Sequence, residues 1–315
     1  MGFIMTGEEA ADLRARDDGS ADVIHPYLVG QDLNQRADCS ASRWIINFHD
    51  WDLPDAEQYT GAIERVRELV KPERDKRNRE SHRKYWWRYA DYRRGLEQAI
   101  AGLDRVIVIT LVSKVVMPVM LPTGQVFAHK LGVFATDDAG MLALLSCAPH
   151  YWWAISRSST MKADLNYSPS DVFETLARPE VTAGMRDLGG RLDVFRRELM
   201  LARQTGLTGT YNLTHDQGCT DADIAELREI HRAIDEAVVQ AYGWDDLVAA
   251  GLDHGFHETR QGVRYTIGPA VRQEILDRLL ELNHERYEAE RLAGLHDRRG
   301  RKRASRDSEG GATLF

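Results

Sequence analysis

The sequence predicts an α+β protein, with a mixed α/β part up to about residue 180 and a mainly α-helical part after it. Strand-sized apolar runs at residues 105–110 and 115–121 indicate buried strands in the first part. After Pro179, apolar side chains recur every three or four residues, which is typical of amphipathic helices. We therefore predict one domain over residues 1–180, a helical domain over 181–297 and a basic disordered tail over 298–315.

The elements of the first part follow from capping residues, turn residues and apolar spacing. Thr6 and Glu9 form a capping-box pattern ahead of a short helix that ends near residue 15. Pro72 fits the first turn of a helix that continues through basic residues to about residue 101. Asp137 and Asp138 can cap a helix that reaches about residue 148. The other predicted elements are an apolar stretch at 23–29, a turn at 30–33, a strand at 44–48, a helix at 55–70, a turn at 122–124, strands at 126–127 and 131–136, and a short helix from 168.

Three stripes of apolar residues predict long helices in the second part. The stripes cover residues 188–199, 224–238 and 271–282. Short β-like pieces at 256–258 and 263–266 lie between the last two helices. Residues 206–210 contain two glycines after a predicted helix, so we interpret them as its C-cap and a loop.

Charge is distributed unevenly along the chain. The 41 Lys and Arg against 49 Asp and Glu give a net charge of −8, which by itself argues against a nucleic-acid partner. Residues 61–100, however, carry 12 basic and 7 acidic groups, while residues 1–60 carry 4 and 12. Binding of nucleic acid depends on a local basic patch, so the net charge does not exclude it.

The sequence argues for a reduced, cytoplasmic protein. The three cysteines are far apart and form no CxxC pair, so neither a disulfide framework nor a zinc site is predicted. No apolar run approaches the ~18 residues that span a bilayer, and the N-terminus lacks the pattern of a signal peptide. The abrupt apolar start at residues 2–5 favours a chain cut from a longer polypeptide.

Motifs of a self-contained enzyme are missing from the sequence. It contains no GxGxxG, GxxxxGK[ST], HExxH or GxSxG pattern, so we assign no catalytic, cofactor-binding or metal-binding residue. His254 and His257 could supply two metal ligands, but no third partner stands near them. Surface histidines are the favoured interpretation.

Residues 71–94 carry basic side chains interleaved with aromatic ones. This composition suits a helix in contact with phosphate groups. We expect Trp86, Trp87 and Tyr89 to be core residues. For the cations, phosphate contact and simple solvation are equally plausible. The candidate phosphate-binding residues are Arg74, Lys76, Arg77, Arg79, Arg83 and Lys84.

A second group of candidates could contact DNA bases or a groove. Arg157, Ser159 and Lys162 belong to a donor-rich stretch after three consecutive aromatic residues, and Lys114 follows a predicted strand. An ordinary exposed loop is the common alternative for such a stretch.

Ten stretches, in order along residues 1 to about 296, together resemble one known family. They resemble the C-terminal half of type IIG/IIL restriction–modification enzymes and of related large adenine-specific DNA methyltransferases. The stretches are residues 2–10 (GFIMTGEEA), 26–34 (PYLVGQDLN), 42–51 (SRWIINFHDW), 70–75 (VKPERD), 112–114 (VSK), 122–127 (PTGQVF), 159–162 (STMK), 167–175 (YSPSDVFET), 206–212 (GLTGTYN) and 241–245 (AYGWD).

The resemblance implies that residues 1–180 are a DNA target recognition domain and that 181–297 are the helical region that follows it. It implies a double-stranded DNA partner, read at a short specific site in restriction–modification, that is, phage defence. The family's S-adenosylmethionine-binding strand and its Asn-Pro-Pro-Tyr motif have no counterpart here, since no Asn-Pro dipeptide occurs. We therefore expect the catalytic domain, and with it S-adenosylmethionine, to belong to sequence outside this chain.

Two alternatives remain open on the sequence alone. The helical region could dock a separate methyltransferase or nuclease polypeptide, which would make the chain an interaction subunit. The chain could also be a non-functional gene fragment. An orphan enzyme that acts unaided is a further hypothesis, and it would require binding of S-adenosylmethionine.

Overall fold

The structure is a computed structural model that describes residues 2–16, 19–89, 93–113, 116–161 and 164–295. Its first part mixes short helices with three small sheets, and its second part consists of long helices and one hairpin. The predicted α+β class is thereby confirmed. The predicted tail at 298–315 lies outside the described residues.

The N-terminal elements form a four-stranded sheet with helices packed on it. The capping box is present, because the Thr6 amide donates to Glu9 Oε2 and the Glu9 amide donates to Thr6 Oγ1. The sheet order is β1-β3-β2-β7, where β7 is Val126–Phe127, and it is antiparallel except for the β2–β7 pair. The elements in chain order are β1 (Ile4–Met5), α1 (Gly7–Arg16), β2 (Ile24–Leu28), α2 (Gly30–Gln35), β3 (Arg43–Ile46), α3 (Leu53–Ala56) and α4 (Thr60–Leu69).

The middle of the first part is built around a buried antiparallel sheet. Its order is β6-β4-β8, and Val106 to Ile109 of the central strand are fully buried, as the continuous apolar run predicts. The elements are α5 (Lys71–Asp75), α6 (Glu80–Lys84), α7 (Arg94–Ile100), β4 (Arg105–Thr110), β5 (Val112–Ser113), β6 (Val119–Pro122), β7 (Val126–Phe127) and β8 (Leu131–Phe134).

Two consecutive helices lead to a third small sheet. Asp138 caps the first of them by accepting a hydrogen bond from the Gly140 amide, as predicted. The sheet has the order β5-β10-β9 and is antiparallel throughout. The elements are α8 (Ala139–Ser146), α9 (Ala148–Arg157), β9 (Ser159–Met161), β10 (Asp164–Asn166) and α10 (Pro169–Val172).

The second part contains the three predicted long helices, and its two predicted β-like pieces pair as an antiparallel hairpin. Pro269 stands in the first turn of the last helix, as its fixed φ favours. The elements are α11 (Ala183–Arg203), α12 (Leu207–Thr214), α13 (Ala222–Ala241), α14 (Asp245–Ala250), β11 (Gly255–Thr259), β12 (Gly262–Thr266) and α15 (Pro269–Leu292). Among the described residues, no helix is both long and apolar enough to cross a bilayer.

Apolar packing joins the two parts. One buried cluster contains Ile107 and Phe134 from the first part together with Ile275 and Leu279 of α15. Another joins Leu28 and Val133 to Met200 on α11. The domain boundary at residue 180 stays a prediction, because these clusters cross it.

Several element predictions were wrong in detail. Residues 30–33 belong to helix α2, which Asp32 stabilises by accepting from the Val29 amide. The predicted helix at 55–70 is two helices, α3 and α4. Residues 207–210 begin helix α12, with Gly206 as its N-cap, instead of forming a loop. In each case a short polar stretch can form either a turn or a helix, and tertiary packing decides between the two.

Close approach of α8 and α11 depends on one glycine. A Cβ at Gly189 would lie 1.8 Å from the carbonyl oxygen of Ala139, a backbone atom that cannot turn aside. A Cβ at the neighbouring Gly190 would meet nothing within 4 Å. Gly189 therefore has no room for a side chain, whereas Gly190 does.

Gly189→Ala is expected to lower the free energy of unfolding by about 2 kcal/mol or more, because the added methyl group overpacks the helix contact. Gly190→Ala is the matched control. It should raise stability by about 0.5–1 kcal/mol, since alanine has the better helix propensity. Urea unfolding followed by circular dichroism measures both. Equal effects of the two variants would contradict the close packing of α8 on α11.

Candidate nucleic-acid interface

The basic segment, defined as residues 71–94, is not the single helix that the sequence predicted. Its described residues form α5 and α6, and the chain leaves helical geometry after Lys84. Trp86 and Trp87 are both about 7% exposed. The chain turns after Lys84 and places both indoles in the same buried cluster.

Arg74 stabilises this turn. Its Nη1 donates to the carbonyl oxygens of Tyr85 and Arg88, at 3.1 and 2.7 Å. The guanidinium also lies 5.0 Å from the ring centre of Phe3. Burial, followed by the nearby charge of Arg77, lowers the pKa of Arg74. Arg74 therefore uses its guanidinium for hydrogen bonds within the protein.

Two further candidates bond within the basic segment. Arg83 Nη1 donates to the carbonyl oxygens of Arg77 and Asn78, at 2.6 and 3.2 Å. Arg79 Nε donates to Ser81 Oγ at 3.0 Å. Both side chains are exposed, but their donors already serve the turn between α5 and α6.

Lys76, Arg77 and Lys84 are the candidates with most of their charge turned to solvent. Lys76 Nζ is 3.8 Å from Glu73 Oε1, and both side chains are largely exposed, which makes this a weak ion pair. Lys84 Nζ lies 5.3 Å from the ring centre of Tyr85, and Arg77 is exposed. These three cations form the solvent-facing charge of the basic segment.

The aromatic residues of the segment are core residues, as predicted. Trp87 Nε1 donates to the carbonyl oxygen of Trp51 at 3.0 Å. Trp86 packs edge-to-face on Trp87. Tyr89 is partly buried, and its hydroxyl lies 2.9 Å from that of Tyr27. The segment is thus anchored through its aromatic side chains.

The second group of candidates gathers around the sheet β5-β10-β9. Ser113 and Met161, the last residues of β5 and β9, are paired with Leu165 and Asp164 at the start of β10. Both strands therefore end at the same edge of this sheet. Lys114 and Lys162, which follow these strands in sequence, lie outside the described residues.

Arg157 and Ser159 stand at the junction of α9 with this sheet. Arg157 is the last residue of α9, is exposed, and its guanidinium lies 4.3 Å from the ring centre of Trp153. Ser159 begins β9. Stacking on Trp153 restricts the guanidinium, so less orientational freedom remains to be given up when it binds a planar acceptor group.

Asp235 on α13 connects two of these elements, and sequence reasoning missed it. Its Oδ1 accepts from the Ala148 amide at 2.6 Å, where α9 begins, and its Oδ2 lies 3.0 Å from His254 Nε2. The prediction of a surface histidine was wrong for His254, because both side chains of this pair are only 6% exposed. Burial raises the pKa of Asp235, and the hydrogen bond from His254 opposes this.

A second buried network ties α11 to the first part. Arg196 donates to the carbonyl oxygen of Pro118 at 2.7 Å and to the Tyr211 hydroxyl at 3.1 Å. That hydroxyl in turn lies 2.8 Å from His231 Nε2. Since the hydroxyl accepts from Arg196, its own proton is available to His231, which fits a neutral imidazole.

Burial keeps three histidines uncharged. Burial lowers the pKa of His150 to about 4. Burial, with nearby positive charge from Arg196, lowers the pKa of His231 to about 3, and burial, with Arg264, lowers that of His215 to about 3. Within the described ranges, no cluster of His, Cys, Asp and Glu is arranged to hold a metal ion. These residues come from separate elements, so no spacing in the sequence could have revealed them.

Comparisons with known proteins identify one family. A family model described as "MmeI, target recognition domain" matches residues 1–180. Among solved structures, the chain is similar to that of the Type IIL restriction–modification enzyme MmeI in complex with DNA, with a TM-score of 0.61 and 15% identity. The alignment covers 90% of this chain and 34% of that one, so the chain spans about a third of the length of that enzyme. At this identity the likeness shows the fold. No curated protein matches the chain.

Arg74→Ala is expected to lower the free energy of unfolding by about 2 kcal/mol, because two carbonyl oxygens are left without their charged donor. Arg77→Ala, three residues along and exposed, is the control and should change stability by less than about 0.5 kcal/mol. Urea unfolding measures both variants. A neutral Arg74→Ala would mean that Arg74 is not needed for the turn.

The free energy of unfolding is expected to fall as the pH drops from about 6.5 towards 4. The unfolded chain binds protons on the three histidines near pH 6.5, whereas the folded chain does so only near pH 3–4. Each histidine then contributes about 1.4 kcal/mol per pH unit in that window. The raised pKa of Asp235 acts in the opposite sense.

His231→Gln tests how much one histidine contributes to this pH dependence of the free energy of unfolding. Glutamine keeps a donor and an acceptor but does not titrate, so the slope of stability against pH between about 4.5 and 6 should decrease by about one proton. Denaturant titrations at a series of pH values provide the slope. An unchanged slope would show that His231 titrates normally in the folded chain.

Proposed function

This chain belongs to the MmeI target recognition domain family, and on that premise we propose that it is a recognition module for a specific double-stranded DNA sequence. The observation that carries the proposal is the family match over residues 1–180, because this range contains both groups of candidate residues. The similar MmeI structure is a complex with DNA.

We propose that the solvent-facing cations of the basic segment contact the phosphate backbone. Lys76, Arg77 and Lys84 have no strong acidic partner among the described residues, so they can turn to phosphate at little cost. Arg74, Arg79 and Arg83 support this surface by fixing the backbone turn that carries it. Such contacts fix the orientation of the protein on DNA and carry no sequence information.

Base reading is proposed for the edge of the sheet β5-β10-β9 that meets α9, where β9 begins. Arg157 can offer a guanidinium fork to guanine in the major groove, and stacking on Trp153 orients that fork. Ser159, Lys114 and Lys162 remain predictions as further readers.

The methylation step is proposed to require polypeptide beyond these 315 residues. In restriction–modification, the partner would be an adenine-N6 methyltransferase that binds S-adenosylmethionine. Cofactors of this kind bind in a crevice at the carboxyl ends of parallel strands. In the described part of the chain, β2–β7 is the one parallel pair, so these residues do not fit the cofactor.

A separate catalytic polypeptide is a second candidate partner. Four large apolar side chains on α15 and just beyond it are exposed, which favours a protein contact there. They are Leu280, Tyr287, Leu292 and Leu295. Gel shifts with and without that polypeptide distinguish a module that binds DNA alone from one that requires its partner.

The cellular setting proposed is the cytoplasm, in phage defence. The three cysteines are free, two of them buried, which suits a reducing compartment.

The triple variant Lys76→Ala, Arg77→Ala, Lys84→Ala is expected to bind all DNA sequences more weakly than the unmodified chain. The plot of log affinity against log salt concentration should become less steep by about 0.9 for each phosphate that the variant no longer neutralises, up to roughly 2.7. Duplex DNA selected by the chain from a pool with a randomised centre serves as the probe, in fluorescence anisotropy.

Arg197→Ala is the control variant, because Arg197 is exposed on α11 beside a separate pocket near Asp38. It should leave the affinity and the salt dependence unchanged. If the triple variant behaves like this control, the basic segment is not on the DNA face. If the chain selects no sequence from the pool, with or without a partner polypeptide, the proposed function is wrong.

A further inference from the structure

An open groove lies beside the proposed base-reading edge. It has a volume of about 790 Å³ and is bounded by α9, by the turn of the β11–β12 hairpin and by the start of α15. We call it the hairpin groove. Its polar lining includes Tyr151, Ser158, Glu258, Arg260, Gln261 and Arg272.

The hairpin is fixed to α9 along one wall of the hairpin groove. Tyr151 on α9 donates its hydroxyl hydrogen to Gln261 Oε1 at 2.7 Å, at the tip of the hairpin. Trp152 Nε1 donates to Thr266 Oγ1 at 3.2 Å, near its base. These bonds from neighbouring residues of one helix hold both ends of β12. The tip is therefore a rigid feature of the surface.

The same bonds leave donors available in the hairpin groove. Because the carboxamide oxygen of Gln261 accepts from Tyr151, its amide nitrogen stays available, with no partner among the described residues. Ser158 Oγ is buried and also lacks a partner in the part of the chain that the structure describes. A donor that is shielded from water and unpaired is costly unless a ligand satisfies it.

Two guanidinium groups line the hairpin groove, and a third follows close by in sequence at the end of α9. Arg260 is exposed at the hairpin turn, and Arg272 lies 4.4 Å from the ring centre of Trp152. Arg157, at the end of α9, stacks on Trp153. None of the three has an acidic partner within the described ranges, and Glu258 is the acidic residue of the lining. The chemistry is that of a site for an extended polyanion.

Spacing along α9 relates the hairpin groove to the base-reading edge. Tyr151, which fixes the hairpin tip, and Arg157 are six residues apart, which is about 9 Å along a helix. Phosphates of one DNA strand follow each other about every 3.4 Å along the duplex axis. The two points therefore lie within about three base pairs of each other. One strand could contact both.

We propose that the hairpin groove binds the sugar–phosphate backbone of the DNA next to the bases read at the sheet edge, with Arg260 and Gln261 as its contacts at the hairpin tip. This inference rests on the proposed function. It extends the DNA face to residues 255–266, outside the family match over 1–180. Recognition then requires both parts of the chain, and exchange of residues 1–180 alone transfers only part of the affinity.

Arg260→Ala in the full chain is the direct test. The probe is duplex DNA selected by the unmodified chain from a pool with a randomised centre. Removal of one phosphate-binding cation should weaken binding about five-fold near 0.15 M salt and reduce the salt slope by about 0.9. Arg260→Lys should keep most of the slope. Arg197→Ala, an exposed arginine outside the groove, should match the unmodified chain.

Gln261→Ala gives a second readout that does not involve charge. It should weaken binding without a change in the salt slope, and thermal unfolding checks that the hairpin remains folded. If the unmodified chain binds and the Arg260 and Gln261 variants bind equally well, the hairpin groove is not a DNA contact while the proposed function stands. If the unmodified chain binds no duplex, with or without a partner polypeptide, both proposals are wrong.

Discussion

The buried carboxylate of Asp235 is the contact on which the placement of α9 and of the β11–β12 hairpin, two of the elements proposed to contact DNA, depends. One of its oxygens accepts from the first amide of α9, and the other bonds His254 just before the hairpin. A carboxylate is favoured at a helix N-terminus, and a buried one is tolerated only when it is well paired. The Asp235 side chain on α13 therefore holds the start of α9, which ends at Arg157, and the residue that precedes the hairpin, which turns at Arg260.

The helical region is therefore part of the surface proposed to meet DNA. Arg196 reaches from α11 to a carbonyl of the first part, and Gly189 lets α11 approach the backbone of α8. Polar networks of this kind stabilise a fold only when every member is satisfied. Burial keeps His231, which bonds Tyr211 in this network, neutral.

The basic segment shows how a guanidinium can serve two purposes. The same fork that binds phosphate can also cap carbonyl oxygens. Arg74 caps the turn around Trp86 and Trp87, and Arg83 caps the turn between α5 and α6. Lys76, Arg77 and Lys84 extend into solvent. A lysine has a single charged tip on a flexible stem and is poorly suited to bridge two carbonyls. Backbone geometry decides which of these cations cap carbonyl oxygens and which face solvent, and amino-acid composition does not reveal this.

The amino-acid sequence was sufficient for the α+β class, most of the strands and long helices, the capping box at Thr6, the burial of Trp86 and Trp87, and the family. These depend on local periodicity, capping chemistry and motif order, which act over a few residues. Long-range packing decided that the basic segment turns instead of continuing as a helix, that Arg74 faces inward, and that His254 is buried on Asp235. It also brought the hairpin beside α9. Such contacts join residues far apart in sequence, so their energies have no local pattern from which they could be predicted.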